Sequence, residues 1–263
     1  MSENSPLAGL LAGKKGLIVG VANQNSIAWG CAEVLRSAGM DLAFTYQGEV
    51  MRDRVARTTA NLGEEVALYD LDVRDDAQIV AVFDALRERW GRLDFVLHSV
   101  AFAPKAAMAA SFLETQREDF LTAHDISAYS LVALSRAAVP LMTEGGSIVC
   151  MTYYGSQKAV PGYNVMGVAK ASLEASVRYL AVDLGSRNIR VNTISAGAIN
   201  TLAARGVAHF RDLMKITAER SPLKRTVETE EVGRACLFLA SDLSSGMTGE
   251  TMYVDAGFNI TAG

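Results

Sequence analysis

Short apolar stretches alternate with longer amphipathic ones along this chain, and that alternation restricts the fold more than any other feature. Residues 16–20 (Gly-Leu-Ile-Val-Gly) are an apolar run closing on glycine. Ser26 then precedes a helical pattern over 27–38, and Gly39 follows its end. The same reading predicts strands over 42–46, 66–71, 93–100, 147–152, 189–195 and 251–254. It predicts helices over 49–61, 75–90, 115–139, 164–184 and 228–240, with a basic helical piece before the last of them. Strands of nearly continuous apolar residues joined through helices are parallel neighbours, with helices on both faces of the sheet. The expected architecture is therefore α/β: a single doubly wound, Rossmann-type domain over residues 1–263. Its seven-stranded sheet is expected to be mostly parallel, with ligands at the carboxyl ends of the strands. Residues 1–10 are expected to be a peripheral tail.

Composition matters here mainly for what it excludes. With 50% apolar and 21% charged residues the chain has material for a sizeable core, and a net charge of −4 argues against general nucleic-acid binding. Its apolar runs are strand length, so no membrane span is expected, and residues 1–13 lack the basic start of a signal peptide. Cys31, Cys150 and Cys236 are far apart and suit buried thiols in a reducing compartment, so a cytoplasmic location is expected. His98, His124 and His209 show no metal-ligand spacing, and no metal is expected.

The first strand-turn-helix is the expected dinucleotide site. Gly20 ends the strand, and Ser26 offers a hydroxyl and the free N–H groups of a helix start to a pyrophosphate. Ala28 and Gly30 are small enough for that helix to lie close to the sheet. The strict G-x-G-x-x-G is absent, so a merely structural turn is also open. The second strand ends at Gln47, a neutral residue able to bond ribose or adenine. No Lys or Arg adjoins it, which favours NADH over NADPH, although Arg52 and Arg54 are near. After the third strand, Asp72 and Val73 offer a carboxylate and a backbone N–H to the adenine edge, or a simple turn.

The fifth strand leads to Tyr153-Tyr154, and then Tyr163 and Lys170 stand seven apart at a helix start. Positions seven apart on a helix fall within about 20° of one face, so the phenol and the ammonium can share a cleft. A nearby positive charge favours the ionised form of a phenol. Such a tyrosine is a plausible acid for an anion forming at a carbonyl oxygen. Taken alone, the pair also fits a helix start with an ordinary surface lysine.

Further residues carry a resemblance. The alternating order, Tyr163 and Lys170 on the fifth crossover, Arg190-Val191-Asn192, and Asp255-Ala256-Gly257-Phe258 resemble the short-chain dehydrogenase/reductase superfamily. The ordinary member has Tyr-x3-Lys with a serine thirteen before the tyrosine. Here Met166 stands four before Lys170, and Tyr153 stands where the serine would fall. That set resembles one branch, the NADH-dependent bacterial enoyl-acyl-carrier-protein reductases of fatty-acid synthesis. The stretches at 20–22, 26–28, 43–47, 98–104, 123–127, 163–167, 194–197, 201–203 and 246–250 match that branch too.

The resemblance implies a trans-2-enoyl thioester carried by acyl carrier protein as substrate, with NADH as the hydride donor. Tyr163 is then the donor to the enolate oxygen, and Lys170 holds the nicotinamide ribose. Tyr153 lies near the acyl end, where it either assists proton delivery or shapes the pocket. Ile199, Asn200, Thr201, Leu202 and Ala203 are expected to cover the cofactor, Val100 to pack along it, and Ala103 to touch substrate through its backbone. His98 reads as a core histidine, and His124 and Asp125 as structural. Residues 196–225 are expected to form a lid with a positive rim: from 205 to 225 there are six basic residues (Arg205, Arg211, Lys215, Arg220, Lys224, Arg225) and two acidic ones (Asp212, Glu219). The resemblance also implies a homotetramer. A carbonyl or hydroxyl oxidoreductase of the same superfamily is the competing reading, and the absence of tyrosine at 166 speaks against it. A non-catalytic nucleotide sensor is the reading from outside enzymes.

Overall fold

The computed structural model describes residues 9–63, 66–202, 204 and 210–261. Seven strands form one sheet: β1 (Lys15–Val19), β2 (Asp41–Tyr46), β3 (Ala67–Asp70), β4 (Phe95–His98), β5 (Gly146–Thr152), β6 (Ile189–Ala196) and β7 (Thr251–Val254). Their order is β3-β2-β1-β4-β5-β6-β7, and every neighbouring pair is parallel. The sheet is thus wholly parallel rather than mostly so. The crossovers carry α1 (Ile27–Ser37), α2 (Gly48–Thr59), α3 (Asp76–Trp90), α4 (Lys105–Ala109), α5 (Arg117–His124), α6 (Ser130–Ala138), α7 (Asn164–Gly185), α8 (Phe210–Arg220) and α9 (Thr229–Ala240).

The period-2 alternation of the strands divides the core between the two faces. Leu17, Val19, Val96, Ile148 and Val191 point to one side, under Phe83, Leu86, Leu131, Leu134, Leu173 and Val177 of α3, α6 and α7. Ile18, Phe44, Leu97, Val149 and Ile194 point to the other, under Trp29, Leu35, Val232 and Leu237 of α1 and α9. Each fully buried Leu, Ile or Phe of this kind contributes about 1.5–3 kcal/mol by leaving water.

From β1 the chain builds outward to β3, then returns to lay β4 on the other side of β1. The strand order reverses there, which opens a crevice beyond the carboxyl ends of β1 and β4. At that point a Cβ on Gly20 would lie 2.2 Å from the Ser99 carbonyl oxygen, and its φ is +115°. Only glycine fits so close an approach in so rare a conformation.

Three sequence expectations change. Gly30 does not serve contact with the sheet. A Cβ there would sit 2.5 Å from Thr229 Cβ, and one on Gly233 would sit 2.5 Å from the Gly30 carbonyl oxygen, so these glycines let α1 and α9 touch. Ala28 does pack inward, fully buried. The helix predicted over 115–139 is interrupted by a wider π-turn at Asp125–Tyr129, between α5 and α6. There Ser127 Oγ accepts from the Phe102 N–H at 3.0 Å and donates to the Phe102 carbonyl at 3.1 Å, tying the turn to the segment after β4. Such turns cluster at functional sites. Finally, α4 occupies a stretch for which the sequence pattern predicts no element. Asn164 Nδ2 pins its end to the start of α7 by donating to the Met108 and Ala110 carbonyls at 3.0 and 2.6 Å. Among the described residues no helix is long and apolar enough to cross a membrane. The three cysteines are buried and free.

Candidate active site

A cavity of about 800 Å³ lies across the crevice. Its wall includes Gly20, Ser26, Ile27, Gln47, Asp72, Val73, Val100, Ala103, Tyr153, Tyr163, Lys170, Ile199, Thr201 and Leu202. The fold therefore gathers onto one surface residues that are up to 182 positions apart in the chain (20 to 202). Asn200 is the exception. The Thr201 N–H bonds to the Ile199 carbonyl at 2.8 Å, folding a three-residue turn that leaves Asn200 exposed and off the wall. Ala203 and Arg205 lie outside the described residues, as does the tail over 1–8.

The cavity's first end is the turn between β1 and α1. Ser26 is the N-cap of α1, but its hydroxyl caps no helical N–H. It accepts instead from the Ala22 and Asn23 N–H groups at 3.0 and 3.1 Å. With its lone pairs so used, the hydroxyl has its proton to give, and the first N–H groups of α1 lie beside it. Both suit an anion. Together with the glycine-only approach at Gly20, they fit a dinucleotide's pyrophosphate.

The second end is where the sequence reading needs most correction. Gln47 Nε2 donates to Asp72 Oδ2 at 2.9 Å. Arg74 clamps the same carboxylate, Nη2 to Oδ2 at 2.5 Å and Nε to Oδ1 at 3.0 Å. The Arg74 guanidinium holds the Asp72 carboxyl down to about 2, well below the usual carboxylate range. The Asp72 N–H is bonded to Gln78 Oε1 at 2.7 Å. The basic group beside Gln47 is thus Arg74, on the cavity wall. Arg52 pairs with Glu49 at 3.3 Å, and Arg54 lines a separate depression with Asn23 and Trp29.

At the third end, Tyr163 stands immediately before α7, and Lys170 extends from that helix toward β5. Lys170 is 5% exposed and donates from Nζ to the Met151 carbonyl at 2.7 Å. Burial brings its pKa down to about 8. The sequence suggests that the lysine would favour ionised Tyr163. Burial dominates instead and raises the phenol's pKa, with Tyr153 and Glu174 adding to the rise. Tyr163 is thereby kept as a hydrogen-bond donor. The Tyr153 ring meets the Tyr163 ring edge-on, centroids 4.9 Å apart, and burial pushes its pKa up to about 12. The Tyr154–Ser156 turn lies against the start of α7: a Cβ on Gly155 would come within 2.4 Å of Tyr163 Cδ1. Met166, 5% exposed, is also on the wall.

Sequence reasoning missed Met51, Arg74, Phe102, Met151, Thr152 and Leu213, all on the wall. Strand ends near Gly20 and Gln47 hint at Met151 and Thr152, which end β5. His98 is a core histidine, its Nε2 2.7 Å from Ser130 Oγ, and burial lowers its pKa to about 3. His124 stacks on Phe120 at 4.0 Å and bonds that residue's carbonyl, a local helix contact.

Comparison with known proteins gives consistent matches. A family model described as enoyl-(acyl carrier protein) reductase matches residues 20–259. Enoyl-acyl-carrier-protein reductase (NADH) 1 of Rhizobium meliloti is 53% identical, over 96% of this chain and 92% of that one. The corresponding enzyme FabI of Bacillus subtilis is 50% identical, over 96% and 98%. The crystal structure of the Bacillus cereus enoyl-acyl carrier protein reductase with NADP+ and indole naphthyridinone superposes with a TM-score of 0.95. It is 48% identical, over 96% of this chain and 99% of that one. The Anaplasma phagocytophilum reductase in complex with NAD gives 0.93 at 44% identity, over 97% and 95%.

Proposed function

We infer the reaction from a premise that these matches establish: the chain belongs to the enoyl-acyl-carrier-protein reductase family. It is an oxidoreductase that reduces the 2,3 double bond of trans-2-enoyl thioesters on acyl carrier protein with NADH. This is the last reductive step of the fatty-acid elongation cycle.

When bound, NADH supplies the hydride for the β-carbon. The chain's own residues hold, orient and stabilise. Gly20, Ser26 and the start of α1, with Ile27, take the pyrophosphate. Gln47, Asp72 and Val73 border the adenosine, and Val100 packs beside it. Lys170 holds the nicotinamide ribose, and Ile199, Thr201 and Leu202 cover the cofactor. Tyr163 donates to the thioester oxygen as negative charge collects there, the step at which a fixed donor contributes most. Its burial supports this role, because a phenol that resists ionisation keeps the proton it must share. Tyr153, edge-on to Tyr163, sets the shape of the acyl end, with Ala103 opposite on the wall.

The observation that carries this assignment is Tyr153, Tyr163 and Lys170 on one cavity while Met166 occupies the position four before the lysine. A carbonyl reductase of the superfamily would need its acid at 166, and a thioether has no proton to give.

The lid reading of residues 196–225, of which 203 and 205–209 lie outside the described residues, is supported by Leu213 of α8 on the cavity wall. Arg225 is bidentate to Glu231 at 2.7 Å and Lys215 lies 3.9 Å from the Glu219 carboxylate, so Arg220 and Lys224 are the better candidates for a positive rim facing acidic acyl carrier protein. The enzyme works in the cytoplasm as a homotetramer. Apolar side chains on the outer side of α7, Tyr179 and Val182 above all, support the assembly by their exposure.

The test is oxidation of NADH and NADPH by the purified chain with crotonyl-CoA, longer enoyl thioesters and acetoacetyl-CoA. Turnover of the enoyl substrates with NADH is expected. Turnover of acetoacetyl-CoA alone would overturn the assignment.

A further inference from the structure

Glu174 lies one helical turn beyond Lys170 on α7, 3% exposed, and the sequence gives no hint of its use. Its carboxylate accepts from Thr152 Oγ1 at 2.7 Å, from Gln157 Nε2 at 2.6 Å and from the Ser156 hydroxyl. All three donors are neutral, and they lie on either side of Tyr153, Thr152 at the end of β5 and Ser156 and Gln157 in the turn after it. A buried carboxylate is a poor choice for stability alone, since an apolar side chain of similar volume commonly serves as well or better. We propose that Glu174 is a positioning residue: it fixes Tyr153 against Tyr163 by anchoring residues 152–157 to α7, and it supplies the countercharge to Lys170.

The positional half rests on consecutive attachments. Lys170 holds the Met151 carbonyl, Glu174 holds Thr152, and Tyr153 comes next. On the far side, the Ser156 N–H closes on the Tyr153 carbonyl at 2.9 Å while the Ser156 hydroxyl returns to Glu174. Tyr153 is therefore held from both flanks, and Gly155 between them rests on the Tyr163 ring. The electrostatic half rests on what faces Lys170. Cys150 of β5 and His98 of β4 feel its charge, as does Glu174 on its own helix. Burial keeps the Cys150 thiol and the His98 imidazole neutral, and it keeps Tyr163 protonated at the start of α7. Among these neighbours the carboxylate of Glu174 alone favours the ammonium with a full charge.

The kinetic arm of the inference rests on the reductase reading; the binding and titration arms do not. Glu174→Gln removes the charge at constant volume, and NADH binding is followed by fluorescence from pH 6.5 to 9.5 without substrate. The Lys170 side chain is titrated in parallel by ¹³C NMR of labelled lysine. The Lys170 midpoint, and the pH at which NADH affinity weakens, are expected to fall together by about one unit. The kcat for enoyl thioester is expected to fall about tenfold or more, with a smaller change in KM. The paired variant Thr152→Val, Ser156→Ala removes tethers without charge, and should lower kcat while leaving the lysine midpoint in place. An unmoved midpoint in a folded Glu174→Gln protein overturns the countercharge role. Full kcat in the folded paired variant overturns the positional one. A wild-type chain that binds NADH but reduces no enoyl thioester would instead sink the reductase reading.

Discussion

Replacing Tyr163 by phenylalanine removes one oxygen from the cavity wall and leaves the ring packed on Gly155. Enoyl turnover should fall about 10²-fold or more, the usual cost of one lost oxyanion donor, with NADH affinity and melting temperature kept. Turnover within about twofold of wild type would exclude Tyr163 as that donor. Lys170 gives a pH dependence with a definite sign. Its folded pKa, about 8, lies below the ordinary lysine value of 10.5, so the ammonium is lost as pH rises through 8. NADH affinity should therefore weaken above that point, by up to about tenfold per unit if only the protonated form binds. A flat affinity profile to pH 9.5 would contradict the ribose role. Stability moves oppositely: between 8 and 10.5 the unfolded chain binds more protons, so unfolding free energy rises with pH there. A third prediction concerns Asp72→Asn, which should release Arg74 to meet a 2′-phosphate and raise the NADPH to NADH ratio of kcat/KM several-fold. An unchanged ratio would mean that Arg74 does not reach the ribose. Tyr163 and Lys170 were legible through the family resemblance, because their helical spacing alone also fits an ordinary surface lysine. Arg74 was not, because it meets Gln47 only across the Asp72 carboxylate beyond the neighbouring strand, and chain proximity pointed to Arg52 and Arg54.

The Tyr154–Ser156 turn and the first turns of α7 act as one element. A Cβ on Gly167 would lie 2.7 Å from the Gly155 carbonyl oxygen, so two glycines let the turn sit flat on the helix. Gly155 is not among the residues with positive φ, so alanine is allowed by its backbone and is opposed by the Tyr163 ring, with the Tyr153 ring 3.2 Å from the added Cβ contributing to the crowding. Gly155→Ala should cost about 1–3 kcal/mol in denaturant unfolding, as overpacking does, and lower kcat more than NADH affinity. Wild-type kcat in that variant would show that the ring moves without consequence. At this scale the alternation of strands and helices could be read, closely in places: the predicted 251–254 strand is β7 and the predicted 164–184 helix is α7 with one residue more, while the predicted 93–100 strand shortens to β4. The π-turn could not be read, because the contact that accompanies it, Ser127 bonding to Phe102, is made only after folding. The same holds for Gly30, whose partner Thr229 belongs to a distant helix.

For the whole molecule, the sequence pattern specifies a parallel, helix-covered sheet because continuous apolar strands cannot face water. Strand order is a separate matter, set by where each crossover lands. The exposed Tyr179 and Val182, three residues apart, give α7 an apolar outer side. Light scattering at micromolar concentration should give the mass of four chains, and Tyr179→Glu with Val182→Glu should lower it. A monomeric wild type would refute the assembly. The glycine contact between α1 and α9 bears on how the protein is made. Helix α1 begins at Ile27 and α9 at Thr229, yet each closes the other's groove. Chains are synthesised from the N-terminus at roughly 5–20 residues per second, so α1 waits roughly 10–40 s for its partner to be translated. During that interval the pyrophosphate cradle lacks its backing. The growing polypeptide therefore carries the Gly30 side of α1 open until α9 has been made.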